Sequence, residues 1–256
     1  MTRPIFLLTD FGTRDHHVGQ VRAVISGIAS GAPILDLTHH ADPFAVDHGA
    51  WLLETALPAL PAGAVVFAVV DPGVGTARRG LAVSSGGRLF VGPDNGILSP
   101  ALRQSWTAVE LQAAEFRRDP VSPTFHARDI FGPAAAHLAS GVELDRLGPS
   151  VSDPVLLPPF CAREEESGRL EGYIIHVDHF GNAISTVRSS QLPASYTIQA
   201  GECRIEAFAR TFGEASPGVP ACYIDSSGFL GITINQGDAA RTLGLTRGTP
   251  VTVVPA

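Results

Sequence analysis

Residues 64–76 read Ala-Val-Val-Phe-Ala-Val-Val-Asp-Pro-Gly-Val-Gly-Thr. Seven apolar residues stand in a row, and four of them are valine. Branching at Cβ crowds a helix and suits a pleated strand. The run does not alternate with polar residues, so both faces of the strand must be covered, as in a sheet with helices on either side. It is far shorter than the roughly 20 residues that span a membrane. The strand stops at an acidic residue followed by a turn-forming Pro-Gly pair.

Working toward the N-terminus, Pro4–Leu8 reads as a second buried strand, ending at Thr9-Asp10-Phe11-Gly12. Val18, Val21, Ile25 and Ile28 recur at helical spacing until Gly31 and Pro33 end the pattern. Ile34–Leu37 is a strand, and a second amphipathic helix runs from about Asp47 to Leu57 before the break at Pro58–Pro61. Beyond the decisive strand, Leu81–Ser84 and Leu89–Val91 are short strands about a Gly86-Gly87 turn, and Pro133–Leu138 is helical. Strands alternating with helices predict an α/β domain with a largely parallel central sheet over residues 1–150. Between Gly148 and Phe160 the texture becomes rich in Pro and Ser, and a linker is placed at 151–165. A smaller all-β domain is expected over 166–256, with strands at Tyr173–Val177, Ala183–Val187, Tyr196–Gln199, Cys203–Phe208, Phe229–Ile234 and Val251–Val253.

The composition narrows the function. The chain has 256 residues, 45% hydrophobic and 17% charged, which is globular rather than disordered. Its net charge of −7 points away from nucleic-acid and anionic-membrane partners. The three cysteines, Cys161, Cys203 and Cys222, are odd in number and lack C-x-x-C spacing. That argues against a disulfide framework or structural zinc and fits a reducing compartment. Ile5–Leu8 meets Asp10 too soon for a secretory leader, so a cytoplasmic protein is expected. All 18 basic residues are arginine, which removes Schiff-base chemistry and a P-loop lysine.

The candidate chemistry sits at strand ends. Asp10 and Asp71 each follow a buried strand and open a glycine-containing loop. If both strands lie in one parallel sheet, both carboxylates reach its carboxyl edge, where open α/β sheets bind ligands. Alternatively each stabilises a turn. Loop 71–79 also carries Arg78 and Arg79, which its glycines allow to fold back toward Asp71, or which simply face solvent. His126 lies between Phe125 and the Arg128-Asp129 pair, which either braces a loop or caps the following helix. In Asp178-His179-Phe180-Gly181-Asn182 the amide of Asn182 suits adenine, while the same residues suit a β-turn. Asp225-Ser226-Ser227-Gly228 is a polar loop before a strand. His16-His17, His39-His40 and His48 lie near Asp15, Asp36, Asp42 and Asp47, yet no H-x-x-x-H or H-E-x-x-H spacing fixes two ligands, and no catalytic metal is expected.

Five motifs occur in order: Thr9-Asp10-Phe11-Gly12, Val69-Val70-Asp71-Pro72-Gly73-Val74-Gly75-Thr76, Val91-Gly92-Pro93-Asp94-Asn95-Gly96, Phe125-His126-Ala127-Arg128-Asp129-Ile130-Phe131 and Phe180-Gly181-Asn182. Together they resemble the S-adenosyl-L-methionine hydroxide adenosyltransferases, the adenosine-forming SAM hydrolases related to fluorinase and chlorinase. The resemblance covers essentially the whole chain. It implies an N-terminal α/β domain, a C-terminal β domain and a homotrimer with sites at subunit interfaces. It implies a triad of Asp71, Arg78 and His126 around a nucleophilic water. Asp10 would hold the ribose diol, Asp15 and Asp178 would lie near the methionine ammonium, Phe44 would form an aromatic wall, Asn182 would read the adenine and Ser226 would lie near the methionine carboxylate, with Phe180 and Ser227 also among the substrate-binding residues. His17, Asp225 and Gly231 depart from the pattern; glutamate is expected at position 231.

The expected reaction is hydrolysis of S-adenosyl-L-methionine at C5′, giving adenosine and L-methionine without any cofactor. The leaving group departs as a neutral thioether, so no general acid is needed, and the task is to place water in line. The related halogenases carry tyrosine at the Asp71 position, and fluorinase carries serine near the Ala127 position. Here a carboxylate would repel a halide, and Ala127 offers no side-chain donor. The alternatives are a SAM-dependent halogenase, a non-catalytic adenosine- or SAM-binding protein, which would leave substrate intact, and a metal-dependent phosphoesterase, which a chelator would silence.

Overall fold

The structure, a computed structural model, describes residues 2–255. Its contacts form two compact units, divided between Pro158 and Pro159.

The N-terminal unit comprises β1 (Ile5–Thr9), α1 (His17–Ile28), β2 (Ile34–Thr38), α2 (Val46–Ala56), β3 (Val65–Val69), β4 (Gly80–Ser85), β5 (Arg88–Pro93), β6 (Trp106–Glu110) and α3 (Gly132–Ala139). The strands make one sheet in the order β2-β1-β3-β5-β4-β6. The pairings from β2 to β5 are parallel, whereas β4 runs antiparallel to both β5 and β6. The sheet is therefore mixed, and the expectation of a largely parallel sheet needs correcting on that side. The cause is the Gly86-Gly87 turn. Both glycines have positive φ, 55° and 74°, as a two-residue hairpin requires, and such a hairpin joins only antiparallel neighbours.

β3 shows why the decisive run is apolar throughout. Val65, Phe67 and Val69 pack with Val21 and Ile25 of α1 and Ala135 and Leu138 of α3. Val66, Ala68 and Val70 pack on the other face with Leu53 of α2. Every residue of β3 is buried. Small residues at Gly132 and Ala134–Ala136 let α3 lie close to α1. A wide π turn, Ala127–Phe131, leads into α3.

The C-terminal unit comprises β7 (Arg163–Glu164), β8 (Leu170–Val177), β9 (Ala183–Arg188), β10 (Tyr196–Ala200), β11 (Cys203–Ile205), β12 (Pro220–Ile224), β13 (Phe229–Ile234), α4 (Ala239–Leu243) and β14 (Pro250–Pro255). The order is β11-β10-β14-β8-β9-β13-β12, with β7 on β8, and these strand pairings are antiparallel. Ile174, Val187, Ile232 and Val253 anchor its core. The unit is not purely β. The Asp238 side chain accepts the N–H of Arg241 at 2.8 Å to start the short α4, and Gly244 at φ 67° closes it. Among the described residues no helix is long and apolar enough to cross a membrane.

Candidate active site

Thr9 of β1 and Val69 of β3 are register partners on adjacent parallel strands. Asp10 and Asp71 therefore leave the sheet close together at its carboxyl edge. Burial, and to a lesser degree the charge of Asp71, push the Asp10 carboxyl above its ordinary value, against an N–H donated by Phe44 at 3.0 Å. Phe44 makes that bond from a left-handed backbone, φ 66°, and the residue is 75% exposed. The base of the loop is tied to the turn after β2: Thr9 Oγ1 lies 2.8 Å from His39 Nδ1, and Gly12 N–H donates to the His39 carbonyl at 2.7 Å.

Loop 71–79 folds back as its glycines permit. A Cβ on Gly75, φ 78°, would fall 2.3 Å from the Pro123 carbonyl oxygen, so the loop presses on the segment that carries His126. Arg78 donates from Nε to Asp71 Oδ1 at 2.8 Å and from Nη2 to Asp71 Oδ2. Its Nη2 also lies 3.0 Å from His126 Nδ1, and the guanidinium sits over the Phe131 ring. Arginine only donates, so Nδ1 is the acceptor and the ring hydrogen is on Nε2. Burial first, then the Arg78 charge, hold His126 below its ordinary value, which favours the neutral imidazole. Arg79 turns elsewhere, to Asp94 and Asp153.

Asp10, Asp15, Phe44, Asp71, Phe125 and His126 line a cavity of about 310 Å³. Arg78 is not among its lining residues and joins Asp71 to His126 from behind. His17 also lines the cavity, edge-on to Phe125 at 5.3 Å between ring centres. The loop bearing His126 is braced by Asp129, which is fully buried. Arg128 grips Asp129 with two bonds of 2.8 Å, Arg118 adds one at 3.0 Å, and Ser122 N–H donates at 2.9 Å. Asp129 thus serves the loop rather than the start of α3. The histidines weighed as metal ligands are dispersed: His39 faces Thr9 and Asp36, the Asp42 N–H donates to His48, and His16 stacks on His17.

The C-terminal unit holds the remaining candidates. Asp178 Oδ1 accepts the N–H groups of Phe180 and Asn182, each at 2.9 Å, and Oδ2 accepts from Asn182 Nδ2 at 2.7 Å. This turn buries Asn182 and leaves Phe180 exposed. Phe180 and Asn182 line a second, largely apolar hollow of about 500 Å³ together with Phe212, Asn235 and Gln236. Gln236, like Phe44, has a left-handed backbone, φ 56°. No motif in the sequence singles out Phe212, Asn235 or Gln236; the Gln236-Gly237 turn after a strand is the available signal, and Phe212 offers none. Ser226 and Ser227 occupy a turn tied by Asp225, whose Oδ1 accepts from Ser227 N at 2.9 Å and Phe229 N at 2.8 Å. They do not line this hollow. The departure at Gly231 has a steric reason: a Cβ there would lie 2.4 Å from the Tyr223 ring, which fills the space.

Comparisons with known proteins agree along the chain. The SAM hydroxide adenosyltransferase N-terminal domain matches residues 5–148, and the C-terminal domain of the same name matches residues 172–252. An (R)-S-adenosyl-L-methionine hydrolase of Thermus thermophilus is 42% identical over 97% of this chain and 98% of that protein. A fluorinase of Actinopolyspora mzabensis is more distant, 26% identical over 98% of this chain and 97% of its own. The crystal structure of an uncharacterized conserved protein from Thermotoga maritima shares the fold with a TM-score of 0.90 and 32% identity, covering 98% of this chain and 99% of that one. With both of its units matched and 42% identity to a hydrolase over nearly the full length of each chain, the chain belongs to the SAM hydroxide adenosyltransferase family.

Proposed function

We propose that this protein hydrolyses S-adenosyl-L-methionine at C5′ to adenosine and L-methionine. One observation carries the reading: Asp71 and His126 line one cavity, and Arg78 joins them from behind. Water donates a hydrogen to the Asp71 carboxylate and accepts one from the Nε2–H of His126, which leaves a lone pair for C5′. The oxygen–carbon bond forms as the carbon–sulfur bond breaks, the electron pair goes to sulfur, and the water proton passes to Asp71 and then to solvent. Arg78 acts through its two partners and is a positioning residue. The sulfonium is already activated, so the chemistry needs no cofactor or metal. A carboxylate on the wall opposes a halide nucleophile, and Ala127 adds no donor.

In this reading Asp10 takes the ribose diol through charge-assisted bonds, Asp15 faces the methionine ammonium, and Phe44 walls the ribose. Phe180 and Asn182 meet adenine, while Ser226 and Ser227 serve the methionine carboxylate. Asp178 contributes through the turn it holds. The N-terminal cavity offers acids for the ribose and the ammonium, and the C-terminal unit offers an amide, an aromatic ring and two serines, so the substrate draws on both. A homotrimer in which the C-terminal unit of one copy completes the cavity of the next would supply both at every interface.

The test is hydrolysis in heavy-oxygen water. The label is expected in the 5′-hydroxyl of adenosine. Label in methionine, or unlabelled adenosine, would overturn the mechanism.

A further inference from the structure

The run Gly92-Pro93-Asp94-Asn95-Gly96 has no part in the reaction above, and none of it lines the cavity. It spans the end of β5 and the turn beyond. Asn95 donates from Nδ2 to the carbonyl of Val70 at 2.9 Å, the residue just before Asp71. Its Oδ1 accepts from Ile97 N at 3.2 Å, which fixes the amide's orientation. The buried Asp94 carboxylate accepts from Arg79 Nε at 2.8 Å and lies 2.6 Å from Arg79 Nη2. The Asp94 N–H donates to the Arg79 carbonyl at 3.0 Å, and that carbonyl also accepts from Arg78 Nη1 at 3.2 Å. Two consecutive residues thus grip both ends of loop 71–79. A Cβ on Gly92 would fall 2.3 Å from the Ala68 carbonyl oxygen, so the strand carrying the pair lies hard against β3.

We infer that Asp94 and Asn95 are positioning residues for the reaction, a clamp that sets loop 71–79 so that Arg78 holds Asp71 and His126 at their working separation. The inference rests on the role given above to those three residues. Position 95 requires an amide, because it must donate to one backbone group and accept from another. A carboxylate of the same shape would set negative charge against the Val70 carbonyl. Position 94 requires a carboxylate, because one oxygen accepts from the Arg79 guanidinium while the other accepts from the Val155 N–H at 2.8 Å.

Asn95→Asp and Asp94→Asn test the clamp with almost no change of shape. Ser99→Ala is the comparison: Ser99 is buried just beyond, donates to the Gly96 carbonyl at 2.6 Å and accepts from Leu157 N at 2.7 Å, with no bond to loop 71–79. A displacement near 1 Å is enough to slow a positioned reaction about 100-fold. Asn95→Asp is expected to lower kcat by about 100-fold and Asp94→Asn by about 10-fold, each with KM within about 3-fold. Ser99→Ala is expected to lower thermal stability and leave kcat within about 2-fold.

A second readout needs no turnover. Arg78, Asp71, Arg117 and Asp129 are the charges acting on His126. In both clamp variants its imidazole resonances should titrate higher than in the wild type, as the Arg78 charge moves away; in Ser99→Ala they should not move. The clamp is overturned if kcat simply follows melting temperature across the three variants, or if His126 titrates unchanged in the folded clamp variants. Should Asn95→Asp fail to fold, Asp94→Asn decides alone. If the wild type leaves S-adenosyl-L-methionine intact, the reaction falls and the His126 titration still decides the clamp.

Discussion

Asp71 and Asp178 each follow a strand, one in each unit, and they are held in opposite ways. Asp178 spends its bonds within its own turn, on Phe180 and Asn182, no more than four residues away. Asp71 is held by the guanidinium of Arg78, which reaches on to His126, 48 residues further along. A carboxylate engaged by its neighbours in the chain shapes backbone. A carboxylate gripped from behind by a cation keeps lone pairs for whatever enters the cavity. Asp10 lies between these cases, with one oxygen given to Phe44 N–H.

Asp71→Asn is expected to show the largest effect, a fall in kcat of about 10²–10⁴ with little change in KM. A loss confined to KM would erase the contrast with Asp178. Arg78→Met comes next, with kcat down about 100-fold, since it acts through positioning. It also changes the pH profile. Burial and Arg78 hold His126 below its ordinary value, so wild-type kcat should persist as pH falls through about 6.5 and decline only at the lower folded value. In the same window the unfolded chain takes up a proton that the folded chain does not, so stability also falls with pH. In Arg78→Met the acid limb should move up; an unmoved limb would uncouple the two residues.

Asp10→Asn sharpens the intermediate case. Adenosine affinity is expected to fall about 10- to 50-fold. A 2′-deoxy ligand should lose affinity for the wild type and lose little more for the variant; equal losses would remove the diol contact. The smallest catalytic effect belongs to Asp178→Ala, which should cost about 1–2 kcal/mol of stability in denaturant titration, from the orphaned turn donors, while kcat is kept. A fall in kcat matching that of Asp71→Asn, in folded protein, would break the comparison outright.

How much of this was legible in the sequence depended on how local its cause was. The apolar run at 64–70 announced a strand covered on both faces, and β3 is buried throughout. The Gly86-Gly87 pair was visible as a turn, and its two-residue length already implies an antiparallel hairpin; what no single run reveals is that β4 goes on to pair with β6. β6 escaped because Trp106–Glu110 has too few apolar residues to stand out as an edge strand, and β12 because a proline opens it. Within loop 71–79 the sequence offered two adjacent arginines with no means of ranking them by pattern. The structure separates them: neighbouring side chains diverge, Arg78 to Asp71 and Arg79 to Asp94. The partners of Asn95 were hidden for another reason, since one of them is a main-chain carbonyl 25 residues away. Backbone acceptors leave no trace in composition.

Phe44 carries a consequence of a different kind. A bulky residue on a left-handed backbone sits about 1–3 kcal/mol above a relaxed one, and it stays there only because its surroundings leave it no alternative. Its N–H is fastened to Asp10 before any ligand arrives. On that side of the cavity the backbone is already set by this bond, and encounter is expected to be docking against a preset surface. Association should therefore slow in proportion to solvent viscosity, as for a diffusing partner meeting a rigid wall, rather than saturate at the rate of a loop closure.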